Sequence, residues 1–248
     1  MEKGPKKNSM EQHINSLKKN ARVAGLWYLL LVIVGIFGLL YVQSQIIVDG
    51  NAAATTKNML VHEFLFRAGI FSSVTGNFIF LLLVLALYRL LKEVNGPQAK
   101  FMVVLVLVQV SIGFVLDLFN FTSLMILKGD VLKSLTPAQK QDFAMLFLKF
   151  HDYGIAILEV YWGIWLVPLG ILVYKSKFIP RIIGVLLIAG GIAYMSNSFT
   201  FLLFPAFEQF VSKFIVIASL GEIVVMLWLL IKGVKSQAYK PGTIAEYL

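Results

Sequence analysis

Residues 155–174 form an almost wholly apolar run of about 20 residues that carries one carboxylate, Glu159. A helix of about 20 residues spans a hydrocarbon core about 30 Å thick. A carboxylate inside such a helix costs roughly 2.5–3.5 kcal/mol on insertion scales, so it faces a partner or a water-filled cavity. One stretch therefore points both to a membrane class and to a candidate site.

The rest of the chain has the same character. It is 58% hydrophobic and 14% charged, whereas a soluble domain is nearer half apolar and a quarter charged. There is no cysteine, which excludes disulfides, thiolate catalysis and cysteine-ligated metals. The net charge is +9, and basic chains can bind nucleic acid. Here the Lys and Arg residues lie mostly between apolar runs, and no zinc-finger or RNP-type pattern is present. We read no nucleic-acid partner.

In chain order, residues 1–20 are polar and basic, with Met10, Ile14 and Leu17 at helical spacing. They read as an interfacial helix or as a disordered basic segment. Residues 21–42 are the first span, with Trp27, Tyr28 and Tyr41 placed as interface aromatics. It reads as retained rather than cleaved, because the apolar run is longer than a signal-peptide core. Residues 43–63 read as a loop, through the turn signal Asp49-Gly50-Asn51. The second span is 64–91 and the third 101–127.

Thr136-Pro137-Ala138-Gln139 fits a helix N-cap, a first-turn proline and a capping-box glutamine. From Pro137 to Tyr174 is too long for one crossing. We expect an interfacial helix to about residue 150, a bend near Gly154, and then the fourth span. The fifth span is 182–204, ended by Pro205, and the sixth is 207–231. Gly25, Gly35, Gly38, Gly184, Gly190 and Gly191 permit close helix packing.

The fold expected is all-α: a polytopic membrane protein with six transmembrane helices, N-in and C-in. Its parts are a basic segment 1–20, a transmembrane domain 21–231 and a cytoplasmic tail 232–248. Orientation rests on charge. Lys3, Lys6, Lys7, Lys18, Lys19, Arg22, Arg89, Lys92, Lys100, Lys175, Lys177, Arg181, Lys232, Lys235 and Lys240 share the N-terminal side, 15 of the 22 cations. The positive-inside rule then puts both termini in the cytoplasm.

Polar residues recur on helical faces. Gln109, Gly113, Asp117 and Asn120 follow at +4, +4 and +3, one stripe of the third span. Asp152, Ala156, Glu159 and Gly163 make a second such face. Asn197 and Thr200 share a face of the fifth span, and Ser219 and Glu222 one of the sixth. With Arg67 and Asn77 from the second span, these form a candidate ligand or ion pocket: Arg67, Asn77, Gln109, Asp117, Asn120, Asp152, Glu159, Asn197, Thr200 and Glu222. Most fall in the outer half of their spans, hence an outward-facing polar pocket. Arg67 is the fixed charge, to hold Asp117 or Glu159 ionised. Glu222 is a deeper relay.

His151 stands just before the fourth span, and one ligand does not make a metal site. It reads as an interfacial pair with Asp152. No G-x-S-x-G, H-E-x-x-H or P-loop motif is present, so no catalytic residue and no cofactor is assigned. Trp162, Trp165 and Trp228 read as lipid-facing or packing residues.

The segment Lys-Lys-Asn-Ala-Arg-Val-Ala-Gly-Leu-Trp-Tyr-Leu-Leu at 18–30 carries a resemblance. So do Arg67-Ala-Gly-Ile, Leu85-Ala-Leu-Tyr-Arg-Leu-Leu-Lys and Pro180-Arg-Ile-Ile-Gly. With these motifs the chain resembles the bacterial membrane family catalogued as domain of unknown function 4386. The resemblance implies a multi-pass protein of the bacterial cytoplasmic membrane. It implies no activity and transfers no catalytic residue.

The leading functional reading is binding or translocation of a small-molecule or cation ligand, with proton linkage. One rival is an interaction or sensory subunit whose polar residues only join helices. The other is a membrane-embedded lipid-modifying enzyme. Apart from such a ligand, the partner read from the sequence is the lipid bilayer.

Overall fold

A computed structural model describes residues 5–234, without the side chains of 5–10, 208, 209, 214 and 216–219. Lys3, Lys235, Lys240, most of the tail and the Ser219 side chain lie outside the described residues.

The described residues are helical, with no strand among them. Helix α1 is Pro5–Gly35; it continues through a π-helical segment, Ile36–Val42, into α2, Gln43–Ile46. Next come α3 (Ala52–Val61), α4 (Glu63–Leu91), α5 (Gly96–Lys128), α6 (Pro137–Ser176) and α7 (Arg181–Leu203). A 3₁₀ turn, Pro205–Phe207, then leads to α8 (Glu208–Val211) and α9 (Lys213–Ile231).

Five helical stretches are long and apolar enough to cross a membrane: Glu11–Ile46, Glu63–Leu91, Gly96–Lys128, Pro137–Ser176 and Arg181–Leu203. Large apolar side chains on them remain exposed, among them Phe71, Leu118 and Phe199. Water would not tolerate so much exposed apolar surface, and lipid does. The long apolar stretch in α9, Leu220–Ile231, is shorter than these five.

Three expectations need correction. Residues 43–63 are not a loop, because α2 and α3 occupy most of them. Asn51, read as a turn residue, caps α3 by accepting a hydrogen bond from Ala54 N at 2.9 Å. The alanines that follow are strong helix formers. No separate interfacial helix precedes the fourth span, since α6 runs unbroken for 40 residues. Gly154 serves a contact there, for a Cβ on it would overlap the Leu116 side chain. The span expected at 207–231 is divided by the 3₁₀ turn and α8. By contrast, the α6 capping box is present: Thr136 N donates to Gln139 Oε1 at 2.9 Å, and Gln139 N donates to Thr136 Oγ1 at 3.4 Å.

The chain divides into two compact units. One gathers the residues up to Leu29, Leu81–Leu107 and those from Glu159 onward; the other comprises Leu30–Phe80 and Val108–Leu158.

In the first unit, glycines set the helix contacts. A Cβ on Gly191 would lie 2.7 Å from the Gly163 carbonyl oxygen, and one on Gly170 2.7 Å from that of Gly184. Gly163 and Gly170 are seven residues apart on α6, as are Gly184 and Gly191 on α7. The two antiparallel backbones therefore touch twice, two turns apart. Gly221 of α9 sits against Leu186 of α7, and Gly25 of α1 against Leu230 of α9. The order of contact is α6, α7, α9, α1.

The second unit packs Val42, Ile46, Met59, Phe66, Leu124 and Leu148 as an apolar core. Two hydroxyls bond helix backbones there: Ser72 to the Val34 carbonyl and Ser123 to the Ala144 carbonyl, each at 2.9 Å. Val34 precedes the π-helical segment, where the change of hydrogen-bond register leaves a carbonyl in need of a donor.

Gly191→Val and Gly184→Val should each destabilise the fold by about 1–3 kcal/mol through overpacking. Gly35→Ala, with no neighbour within 4 Å of its Cβ, should leave stability unchanged or slightly raised. Thermal unfolding in detergent micelles checks the contrast.

Candidate functional site

The polar residues of the first unit meet on the four helices that the glycines draw together. Glu222, tenth residue of α9, accepts at Oε2 from the Tyr28 hydroxyl of α1 at 2.7 Å. Its Oε1 accepts from the Tyr194 hydroxyl of α7 at 3.4 Å. Trp162 of α6 stands edge-on to the Tyr194 ring, with centroids 5.8 Å apart. One helical turn along α7, the Asn197 amide donates to Glu159 of α6 at 2.6 Å.

Glu222 is half-buried, and among the described residues its partners are the two phenols, with no cation. The Asn197 Oδ1 and the Ser198 hydroxyl are buried and find no hydrogen-bond partner among the described residues. Buried polar atoms are nearly always paired, so the leftover Oδ1 of the amide that bonds Glu159 calls for a donor or a positive charge. Thr200 satisfies its hydroxyl locally, on the Ser196 carbonyl.

The other unit holds the remaining candidates. Asn77 of α4 donates to Asp117 of α5 at 3.3 Å. Ser73 and His151 also face Asp117. Gly113 makes room for this pair, since a Cβ on it would lie 2.8 Å from Asn77 Oδ1. Gln109 is buried, and its Oε1 has no partner among the described residues. Asn120 is half-buried. Asp152 is exposed and pairs with His151 at 3.3 Å, the pairing read from the sequence.

Arg67 is engaged at the start of α4. Its guanidinium meets Glu63 at 2.7 Å and lies 5.6 Å above the Phe121 ring. Lys128 reaches the same Glu63 carboxylate at 2.8 Å. Glu63 is thus the acid that holds Arg67, the role the sequence reading gave to Asp117 or Glu159. Among the described residues, no group of three His, Asp or Glu side chains is placed to hold a metal ion.

Sequence reasoning missed Tyr28, Tyr194 and Trp162. Tyr28 reads as an interface aromatic yet is only 1% exposed. The usable signal for Tyr194 was spacing, because it lies three residues before Asn197 and shares its face.

A model of the family described as Domain of unknown function (DUF4386) matches residues 23–233. The chain belongs to the DUF4386 family. The DUF4386 region takes in both units' polar clusters, from Tyr28 to Glu222. No curated protein and no solved structure matches the chain.

Tyr28→Phe should cost about 1–2 kcal/mol of stability by removing the shorter bond to Glu222. Tyr194→Phe should cost distinctly less. Chemical unfolding of both variants in one detergent tests the ranking.

Proposed function

We propose that this DUF4386 protein is a multi-pass protein of the bacterial cytoplasmic membrane that binds or translocates a small cation, with proton linkage. Its site is the cluster of Glu222, Glu159, Asn197, Tyr194 and Tyr28. In this reading α9 is the sixth span and both termini are cytoplasmic, on the side that carries 15 of the 22 Lys and Arg residues.

The observation that carries the reading is the Glu222 carboxyl group. It lies in the middle of an apolar helix and, among the described residues, meets two neutral phenols and no cation. An uncompensated carboxylate in low dielectric is held neutral by a proton or by a bound cation. A group that must carry one or the other is suited to exchanging them. The Glu159–Asn197 pair and the Asn197 Oδ1, which has no partner among the described residues, offer further acceptors to the same kind of ligand. Anions find no such welcome.

Purified protein in proteoliposomes with an internal pH dye should release or take up protons when Na⁺, K⁺ or a small organic ammonium is added outside. Glu222→Gln should abolish that response while the thermal midpoint stays within a few degrees of the parent. A response preserved in Glu222→Gln removes Glu222 as the exchange group. No response from the parent to any of these cations favours a subunit whose polar residues only join helices.

A further inference from the structure

Helix α1 presents two different faces where the chain enters its first apolar stretch. Leu17, Ala21, Ala24 and Tyr28 recur at helical spacing and are buried, and Gly25 beside them packs on Leu230. The opposite face borders a groove of about 370 Å³ whose described lining is Asn15, Lys18, Lys19, Arg22, Val23 and Leu26. Lys18 is half-buried; the other five are exposed. None of the three cations makes an ion pair among the described residues.

The lining is graded along the helix. Cations and an amide occupy the polar end, and Val23 and Leu26 continue it one turn into the apolar stretch. A soluble anion would use only the first part. An anionic phospholipid uses both, with its phosphate among Lys18, Lys19 and Arg22 and an acyl chain along Val23 and Leu26. Each juxtamembrane cation attracts anionic lipid, and Arg adds a planar fork that fits phosphate in a bidentate manner.

We propose that this groove on α1 is a binding site for the headgroup of an anionic phospholipid, drawn from the leaflet in which α1 begins. The site is separate from the Glu222 cluster and does not depend on what that cluster binds.

The test titrates the full-length protein in a neutral detergent with phosphatidylglycerol and with phosphatidylcholine, counting bound lipids by native mass spectrometry. Three proteins are compared: the parent, a Lys18→Gln/Lys19→Gln/Arg22→Gln variant, and a Lys92→Gln/Lys100→Gln/Lys177→Gln variant that loses the same charge from other exposed positions. The parent should bind its first phosphatidylglycerol at least about tenfold more tightly than phosphatidylcholine. The α1 variant should lose that preference and the control variant should keep it. Val23→Ser/Leu26→Ser should weaken the long-chain lipid while sparing a short-chain soluble analogue. Equal losses in the two charge variants mean diffuse attraction and overturn the site. So does a parent without preference. Displacement of the lipid by inorganic phosphate at matching concentration makes the groove a soluble-anion site and overturns the lipid assignment.

Discussion

The structure depends on how closely bare backbones can approach. In hydrocarbon the hydrophobic effect does not draw helices together, since lipid tails are as apolar as leucine. What remains is packing, interhelical hydrogen bonds and the geometry that permits them. Gly163 and Gly170 against Gly184 and Gly191 remove the side chains that would hold α6 and α7 apart. Gly221 and Gly25 repeat the device between α7 and α9 and between α9 and α1. Each contact is a place where a methyl group does not fit.

The polar cluster follows the same order of helices. Trp162 and Glu159 belong to α6, Tyr194 and Asn197 to α7, Glu222 to α9 and Tyr28 to α1. Short bonds such as Tyr28–Glu222 at 2.7 Å and Asn197–Glu159 at 2.6 Å need helices that lie near one another, and glycines supply that nearness. The second unit adds hydroxyl-to-backbone bonds: Ser72 and Ser123 bond backbone carbonyls of neighbouring helices. Such bonds act as orientation devices, because a helix carbonyl is available only on one side.

Much of this was legible in advance. Apolar runs of more than 18 residues specify crossing helices, because lipid offers backbone groups no other partner. The α6 start was readable because a capping box is local chemistry within four residues. Asn51 was misread because Asp49-Gly50-Asn51 signals a turn equally well, and only the alanines after it decide for a helix. Gly154 was misread as a bend because a glycine in a helix has two uses, flexibility and close approach. The neighbour that chooses between them, Leu116, is 38 residues away in sequence.

The sequence by itself determined the helical, membrane-like class and the list of polar groups carried on its apolar runs. Those are consequences of local composition and of the backbone's need for hydrogen bonds. The tertiary structure alone decided partners. Arg67 went to Glu63 in place of a carboxylate deeper in a span, because an acid one turn away on its own helix is within reach. Glu222 went to two tyrosines 194 and 28 residues distant. A helical face tells which side chains stand together on one rod. Which rod faces it depends on where the glycines let the backbones touch.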